Sequence, residues 1–230
     1  MQPSVLITGF TKGIGLACAK AFREAGYSVI GCASTAESVE KIRQAFPEFA
    51  TYRVDLSQKE NVLAFAEEVH AAHGTPDVLI NNAGRFMPGA IHEEPDENFE
   101  VQIALNLAAP YYLTKFFLKE MKARKAGTLV NVCSTASITA YSNGGTYGIS
   151  KHGLLGMSRN LREEMKAHQV RVFAVLPGAT YTASWEGVEL PEDRFMGAED
   201  VAKMIITAVQ LPPRTVVEDI VMRPQLGDLG

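Results

Sequence analysis

A chain of 230 residues, 47% hydrophobic and 21% charged, is long enough to bury a full core and has the composition of a soluble α/β protein. A formal net charge of -4, with no run of Lys and Arg, gives no reason to expect nucleic acid or an anionic membrane as partner. Cys18, Cys32 and Cys133 are odd in number and far apart, with no Cys-x-x-Cys pair, so neither a disulfide framework nor a metal site is indicated.

The chain opens on Ser4-Val-Leu-Ile, too short and too lacking in basic residues for a leader. Nowhere does an apolar run approach the roughly 18 residues of a membrane span. The expectation is a soluble, cytoplasmic protein whose cysteines are small buried hydrophobes. Segments reading as strands are Val5–Thr8, Ser28–Ala33, Thr51–Val54, Val78–Asn81, Thr128–Cys133, Val170–Leu176 and Val217–Met222. They are short and often apolar on consecutive positions, as strands covered on both faces are. Helical spacing fills the intervals: Ile14–Ala25, Ala36–Phe46, Gln58–His73, roughly Asp96–Arg124, roughly Thr146–His168 and Ala198–Leu211.

Strand–helix alternation forces parallel pairing through right-handed crossovers. The expected fold is α/β: a doubly wound Rossmann-type parallel sheet of about seven strands with helices on both faces. One domain covers residues 1–230. Residues 179–197 break the alternation, and Trp185, Gly187, Pro191, Phe195 and Met196 mark the stretch as a substrate lid within that domain.

The first strand ends in Thr8-Gly9-Phe10-Thr11-Lys12-Gly13-Ile14-Gly15, and a helix opens at once. Gly9 permits a tight turn, Gly13 lets backbone approach a phosphate, and Gly15 lets the helix pack close to the sheet. The helix N-terminus offers free N–H groups to the anion. A glycine cluster is a weak signal by itself; its place between strand one and helix one strengthens it.

Further landmarks follow in order: Asp55-Leu56, Asn81-Asn82-Ala83-Gly84, Asn106, Ser134, Tyr147-Gly-Ile-Ser-Lys151 and Pro177-Gly178. Together with Thr-Gly-x-x-x-Gly-x-Gly they make the chain resemble the short-chain dehydrogenase/reductase family over essentially its whole length. The resemblance implies a nicotinamide-dependent oxidoreductase with Asn106, Ser134, Tyr147 and Lys151 as a catalytic tetrad. In that family the lysine meets the nicotinamide ribose, and the asparagine helps hold a water that links the lysine to solvent.

The residues support this chemically. Tyr147 and Lys151, four apart, share one helix face. A free phenol ionises near ~10, and a nearby ammonium is expected to lower that value. Such a tyrosine can give a proton to a carbonyl oxygen as hydride reaches carbon. Ser134 can hold the same oxygen and stabilise its developing charge. In isolation, a Tyr and a Lys at this spacing are more often an exposed helix pair, Ser134 merely ends a strand, and Asn106 caps or bends a helix.

At the end of strand two, where an acidic residue would select NAD, stands Ala33. Lys12, Ser34 and Thr35 can meet a 2′-phosphate, so NADP(H) is preferred and NAD(H) is the second candidate. Many NADP-type relatives carry an Arg where this chain has Ser34. The resemblance further assigns Gly9, Thr11, Lys12, Gly13, Ile14, Gly15, Tyr147 and Lys151 to the cofactor, with Asp55 and Leu56 at adenine. Asn82, Ala83 and Gly84 fall beneath the ribose, and Pro177, Gly178, Thr180 and Thr182 at the nicotinamide and phosphates.

Loops after strands four, five and six carry Arg85, Phe86 and Met87, then Ile138 to Thr146, then Tyr181 to Met196. That mix points to a small, partly apolar ketone, aldehyde or secondary alcohol. Family likeness implies a homodimer or homotetramer, for which Tyr112, Phe116, Phe117, Leu154, Leu155 and Met157 are candidates; the same residues would look alike if they packed on the sheet. The rival from another class is a non-catalytic NADPH-binding sensor.

Overall fold

In the computed structural model, which describes residues 2–181, 191 and 194–228, the apolar segments become seven strands. These are β1 (Ser4–Thr8), β2 (Ser28–Ala33), β3 (Ala50–Arg53), β4 (Val78–Asn81), β5 (Thr128–Val132), β6 (Arg171–Pro177) and β7 (Asp219–Met222). They form one sheet in the order β3-β2-β1-β4-β5-β6-β7, with every neighbouring pair parallel. The direction of winding reverses between β1 and β4, so a crevice opens at their C-terminal ends.

Helices α1 (Gly13–Glu24), α2 (Ala36–Ala45) and α7 (Ala198–Gln210) cover one face. There Phe22 of α1 and Ile205 of α7 are fully buried in the cluster that holds Ile7 of β1. Burial of this kind contributes about 1.5–3 kcal/mol per side chain. The other face takes α3 (Lys59–His73), α5 (Ala109–Arg124) and α6 (Gly145–Met165). Leu79, Leu113 and Phe117 pack there, while Leu154 and Leu155 of α6 cover Ala174 and Leu176 of β6.

The helix expected over residues 96–124 is broken. It consists of α4 (Asp96–Ile103), a π-helical turn (Ala104–Ala108) and α5. Pro110 supplies the reason: it has no N–H to return to the carbonyl of Asn106, and its ring would crowd that oxygen in an α-helical register. The extra residue of the π turn absorbs the mismatch. Residues Thr146 to His168 divide too, into α6 and a terminal 3-10 turn, Lys166–His168.

Of the expected lid, residues 179–181, 191 and 194–197 are described; Trp185 and Gly187 lie outside the described residues. Thr180 and Met196 form a β-bridge, fixed by the Tyr181 N–H donating to Met196 O at 2.9 Å and the Met196 N–H to Ala179 O at 3.0 Å. Among the described residues, no helix is long and apolar enough to cross a membrane. All three cysteines are buried, and burial pushes the thiols of Cys18 and Cys32 up to about 12.

Candidate active site

The crevice is floored by the turn after β1. Gly9 sits at φ +66°, and α1 leans so close that a Cβ on Gly15 would stand against Gly9 O and 2.6 Å from Asn82 Nδ2. Only hydrogen at Gly15 permits that approach. Asn82 fastens the turn from the far side: its Nδ2 donates to Thr8 O at 2.9 Å and to Gly9 O at 3.0 Å. Backbone N–H groups of Asn82 and Ala83 donate to Thr8 Oγ1 at 3.0 and 2.9 Å.

Lys12 is the N-cap residue of α1 and makes no side-chain cap, so among the described residues no capping hydrogen bond takes up the helix's opening amides. Amides that converge on a crevice at the positive end of a helix suit a phosphate. Ala33 ends β2 without a carboxylate, and Ser34 beside it is exposed. Thr35 is committed elsewhere: its hydroxyl accepts from the Ser38 N–H at 3.2 Å and donates to Ser38 Oγ at 2.8 Å, capping α2. Asp55 Oδ1 accepts from the Ser57 N–H and hydroxyl, and Leu56 is buried. At the opposite end Gly178 N–H donates to Met222 O, and the buried Thr180 hydroxyl donates to Gly178 O. Thr182 lies outside the described residues. Uncapped amides in a cradle that a Cβ would fill fit a nicotinamide dinucleotide.

Beside this cradle, β5, the π turn and α6 bring the four expected polar residues together. Ser134 follows β5 as the N-cap of a short 3-10 turn, Thr135–Ser137; its hydroxyl accepts from the Ala136 N–H at 3.1 Å and lies near enough to the Tyr147 phenol to act on it. Tyr147 lies in the first turn of α6. Lys151, one turn on, is buried and places Nζ 5.7 Å from the centre of the Tyr147 ring. A Cβ on Gly84 would stand 3.3 Å from Asn106 Oδ1 and 3.5 Å from Lys151 Nζ. The turn after β4, the π turn and α6 therefore meet at one point.

The expected acidifying effect of Lys151 on Tyr147 is corrected by this geometry. Burial pushes the Tyr147 phenol above its ordinary value; the Ser134 hydroxyl opposes that rise and the Cys133 thiol adds to it. Lys151 is itself held below its ordinary value, first by burial. Its Nζ donates to Val132 O at 2.8 Å rather than to the phenol. In this low-dielectric position, loss of hydration outweighs ammonium–phenolate attraction. The phenol stays protonated through neutral pH, which suits a proton donor.

Asn106 is fully buried at the centre of the π turn, so bending the helix and serving the site are one arrangement. Its Oδ1 accepts from the Arg85 N–H at 2.8 Å, and its Nδ2 donates to Arg85 O at 3.0 Å and Ser150 Oγ at 3.1 Å. Ser150 in turn donates to Tyr147 O at 2.8 Å, linking Asn106 to the backbone of the tyrosine. Ser150 has no place in the expected tetrad, and its position between Tyr147 and Lys151 is the one sequence signal of this role.

Phe86 packs edge-on against Tyr147, with ring centroids 4.9 Å apart. Ile138 and Tyr141 in the loop after β5 are exposed, and Tyr141 is near enough to Tyr147 to influence it. The arrangement offers two hydroxyls able to hold and protonate one carbonyl oxygen, bordered by aromatic and aliphatic surface.

The short chain dehydrogenase family model matches residues 3–193. A sepiapterin reductase from Chlorobaculum tepidum is 32% identical, covering 100% of this chain and 99% of its own. A metagenomic short-chain oxidoreductase in complex with NADP superposes with a TM-score of 0.83 at 31% identity, covering 97% of each chain. An alcohol dehydrogenase from Thermococcus sibiricus complexed with 5-hydroxy-NADP gives 0.91 at 25% identity over 100% of both chains.

Proposed function

Because the chain belongs to the short-chain dehydrogenase/reductase family, a family of nicotinamide-dependent oxidoreductases, we propose that it interconverts a small, partly apolar ketone or aldehyde and its alcohol, preferring NADP(H) to NAD(H). The observation that carries this reading is the convergence of Ser134, Tyr147 and buried Lys151 beside the glycine cradle. A nicotinamide dinucleotide held by the glycine turn would supply or accept the hydride. Ser134 orients the substrate oxygen, and Tyr147 gives it a proton in reduction and takes one in oxidation. Lys151 and Asn106 fix the neighbourhood of that phenol. Phe86, Met87 and Ile138 favour an apolar substituent on the substrate.

The absence of a carboxylate at Ala33 supports NADP(H), as does the exposed ammonium of Lys12. The sequence reading left the cradle one cation short where Ser34 replaces arginine. Arg53 offers the missing charge: it stands opposite Ala33 in the β2–β3 register and is exposed. The NADP complexes of the two structural relatives point the same way.

Expected assembly is a homodimer or homotetramer. The six apolar residues first considered for that interface mostly face inward: Phe117, Leu154 and Leu155 are buried, while Tyr112, Phe116 and Met157 pack on the cores. Exposed Phe99, Tyr111 and Ile149 are better candidates. Buried, unpaired thiols agree with a reducing, cytoplasmic setting.

Fluorescence titration with NADPH and NADH, followed by NADPH oxidation against a panel of ketones and aldehydes, tests the reading. NADPH should bind about tenfold tighter or more, and Lys12→Ala should lose most of that difference, as expected when one charge-assisted bond to phosphate is removed. Equal affinities would contradict the NADP preference. Tight NADPH binding with no turnover on any carbonyl would favour the sensor.

A further inference from the structure

The wall of the site made by residues 85–94 is pinned at successive points. Asn106 holds the Arg85 backbone from both sides. Fully buried Gln102 does the same for Met87, accepting from its N–H at 3.1 Å and donating to its carbonyl at 3.3 Å. Gly89 N–H donates to Asn143 O at 3.0 Å. The last pin is Glu94. Its Oε1 accepts from the Thr146 N–H at 3.0 Å and from the Thr146 hydroxyl at 2.5 Å. Thr146 is buried, lies in the first turn of α6 and directly precedes Tyr147.

The packing around this carboxylate is close. Gly145 sits at φ +36°, and a Cβ there would stand against Gly89 O and within 3.0 Å of Glu94 Oε2. Glu94 Oε2 is itself buried, with no hydrogen-bond partner among the described residues. A buried carboxylate oxygen is costly unless its surroundings compensate. Here the opening end of a 21-residue helix faces it, where partial positive charge and unsatisfied amides favour an anion. Two charge-assisted bonds add to that.

We infer that Glu94 is a positioning residue: it clamps the first turn of α6 to the wall after β4 and so fixes where Tyr147 stands relative to Phe86 and Ser134. It touches no reacting atom, and the inference rests on the reading of Tyr147 as the proton donor. Most of the groups expected to hold the nucleotide lie elsewhere, at the glycine turn and the ends of β2, β3 and β4. Loss of the clamp should therefore act on the chemical step and leave dinucleotide binding alone.

The test compares Glu94→Ala and Glu94→Gln in the full chain by three readouts: kcat for carbonyl reduction, NADPH affinity, and amide hydrogen exchange in a peptide spanning residues 141–150. Glu94→Gln keeps an acceptor for Thr146; Glu94→Ala keeps none. Glu94→Ala should lose about tenfold to a hundredfold in kcat, since small misplacements of a reacting group cost that much, with NADPH affinity within about twofold. Exchange across residues 141–150 should rise in Glu94→Ala while the start of α1 keeps its protection. Glu94→Gln should recover most of both effects. Wild-type kcat and exchange in Glu94→Ala would overturn the inference; so would equal loss in both variants, or a parallel loss of NADPH binding. If the exchange result appears but the wild-type protein reduces no carbonyl, the clamp stands and the proposed function fails instead.

Discussion

Tyr147 shows how a residue's chemistry depends on its surroundings more than on its spacing. Four positions separate it from Lys151, and spacing alone leads to the expectation of an acidified phenol. Folded, the ammonium turns to Val132 O and both groups lose hydration, so the phenol is raised and the amine depressed. A consequence can be measured on the protein without added nucleotide. The ultraviolet phenolate difference spectrum of wild type minus Tyr147→Phe should appear above pH 10, the ordinary phenol value. The sign for stability follows: with the folded value above the unfolded one, the native state holds its proton longer, and this contribution is present below pH 10 and is lost as pH rises beyond it. A phenolate signal that titrates below pH 9 would contradict burial as the dominant influence.

Elements were more legible than contacts. The central strands β1, β4 and β6 could be read from consecutive apolar residues, because both faces of the sheet are covered there, whereas the edge strands β3 and β7 are partly exposed and carry polar residues. The glycine turn was legible from its pattern and its place between β1 and α1, although the contacts that demand glycine at Gly9 and Gly15 include the distant Ala83 and Asn82. The break at Ala104–Ala108 was not read, although Pro110 marks it; apolar periodicity runs on through a π turn and hides the extra residue. Glu94 could not be found at all, because its bonds to Thr146 join positions 52 apart in the chain. At this scale Gly15→Ala is the decisive substitution. The added methyl meets the backbone oxygen of Gly9, a group that cannot swing aside. We expect a loss of about 1–3 kcal/mol in denaturant unfolding, typical of overpacking, together with weakened NADPH binding. A variant with unchanged stability and affinity would mean that α1 does not need its close approach to β1.

Taken whole, the molecule is a parallel sheet whose winding reverses at β1 and β4, and every group of the candidate site lies at that edge. The ends of β1 and β2 form the cradle, the end of β5 brings Ser134, the π turn brings Asn106, and α6 brings Tyr147 and Lys151. Sequence order alone predicted this convergence, because strand ends in a doubly wound sheet share one side. It did not predict which side chains would lock the site together: Ser150, Gln102 and Glu94 act through contacts that only packing creates. In the proposed function, Tyr147 carries the proton for a reduction run on this edge. Tyr147→Phe removes one hydroxyl from an otherwise intact crevice, so comparing its NADPH-dependent carbonyl turnover with wild type, at matched nucleotide saturation, tests that claim most directly. The prediction is a loss of about 10²- to 10⁴-fold in kcat with NADPH affinity unchanged; equal turnover by the two proteins would contradict it.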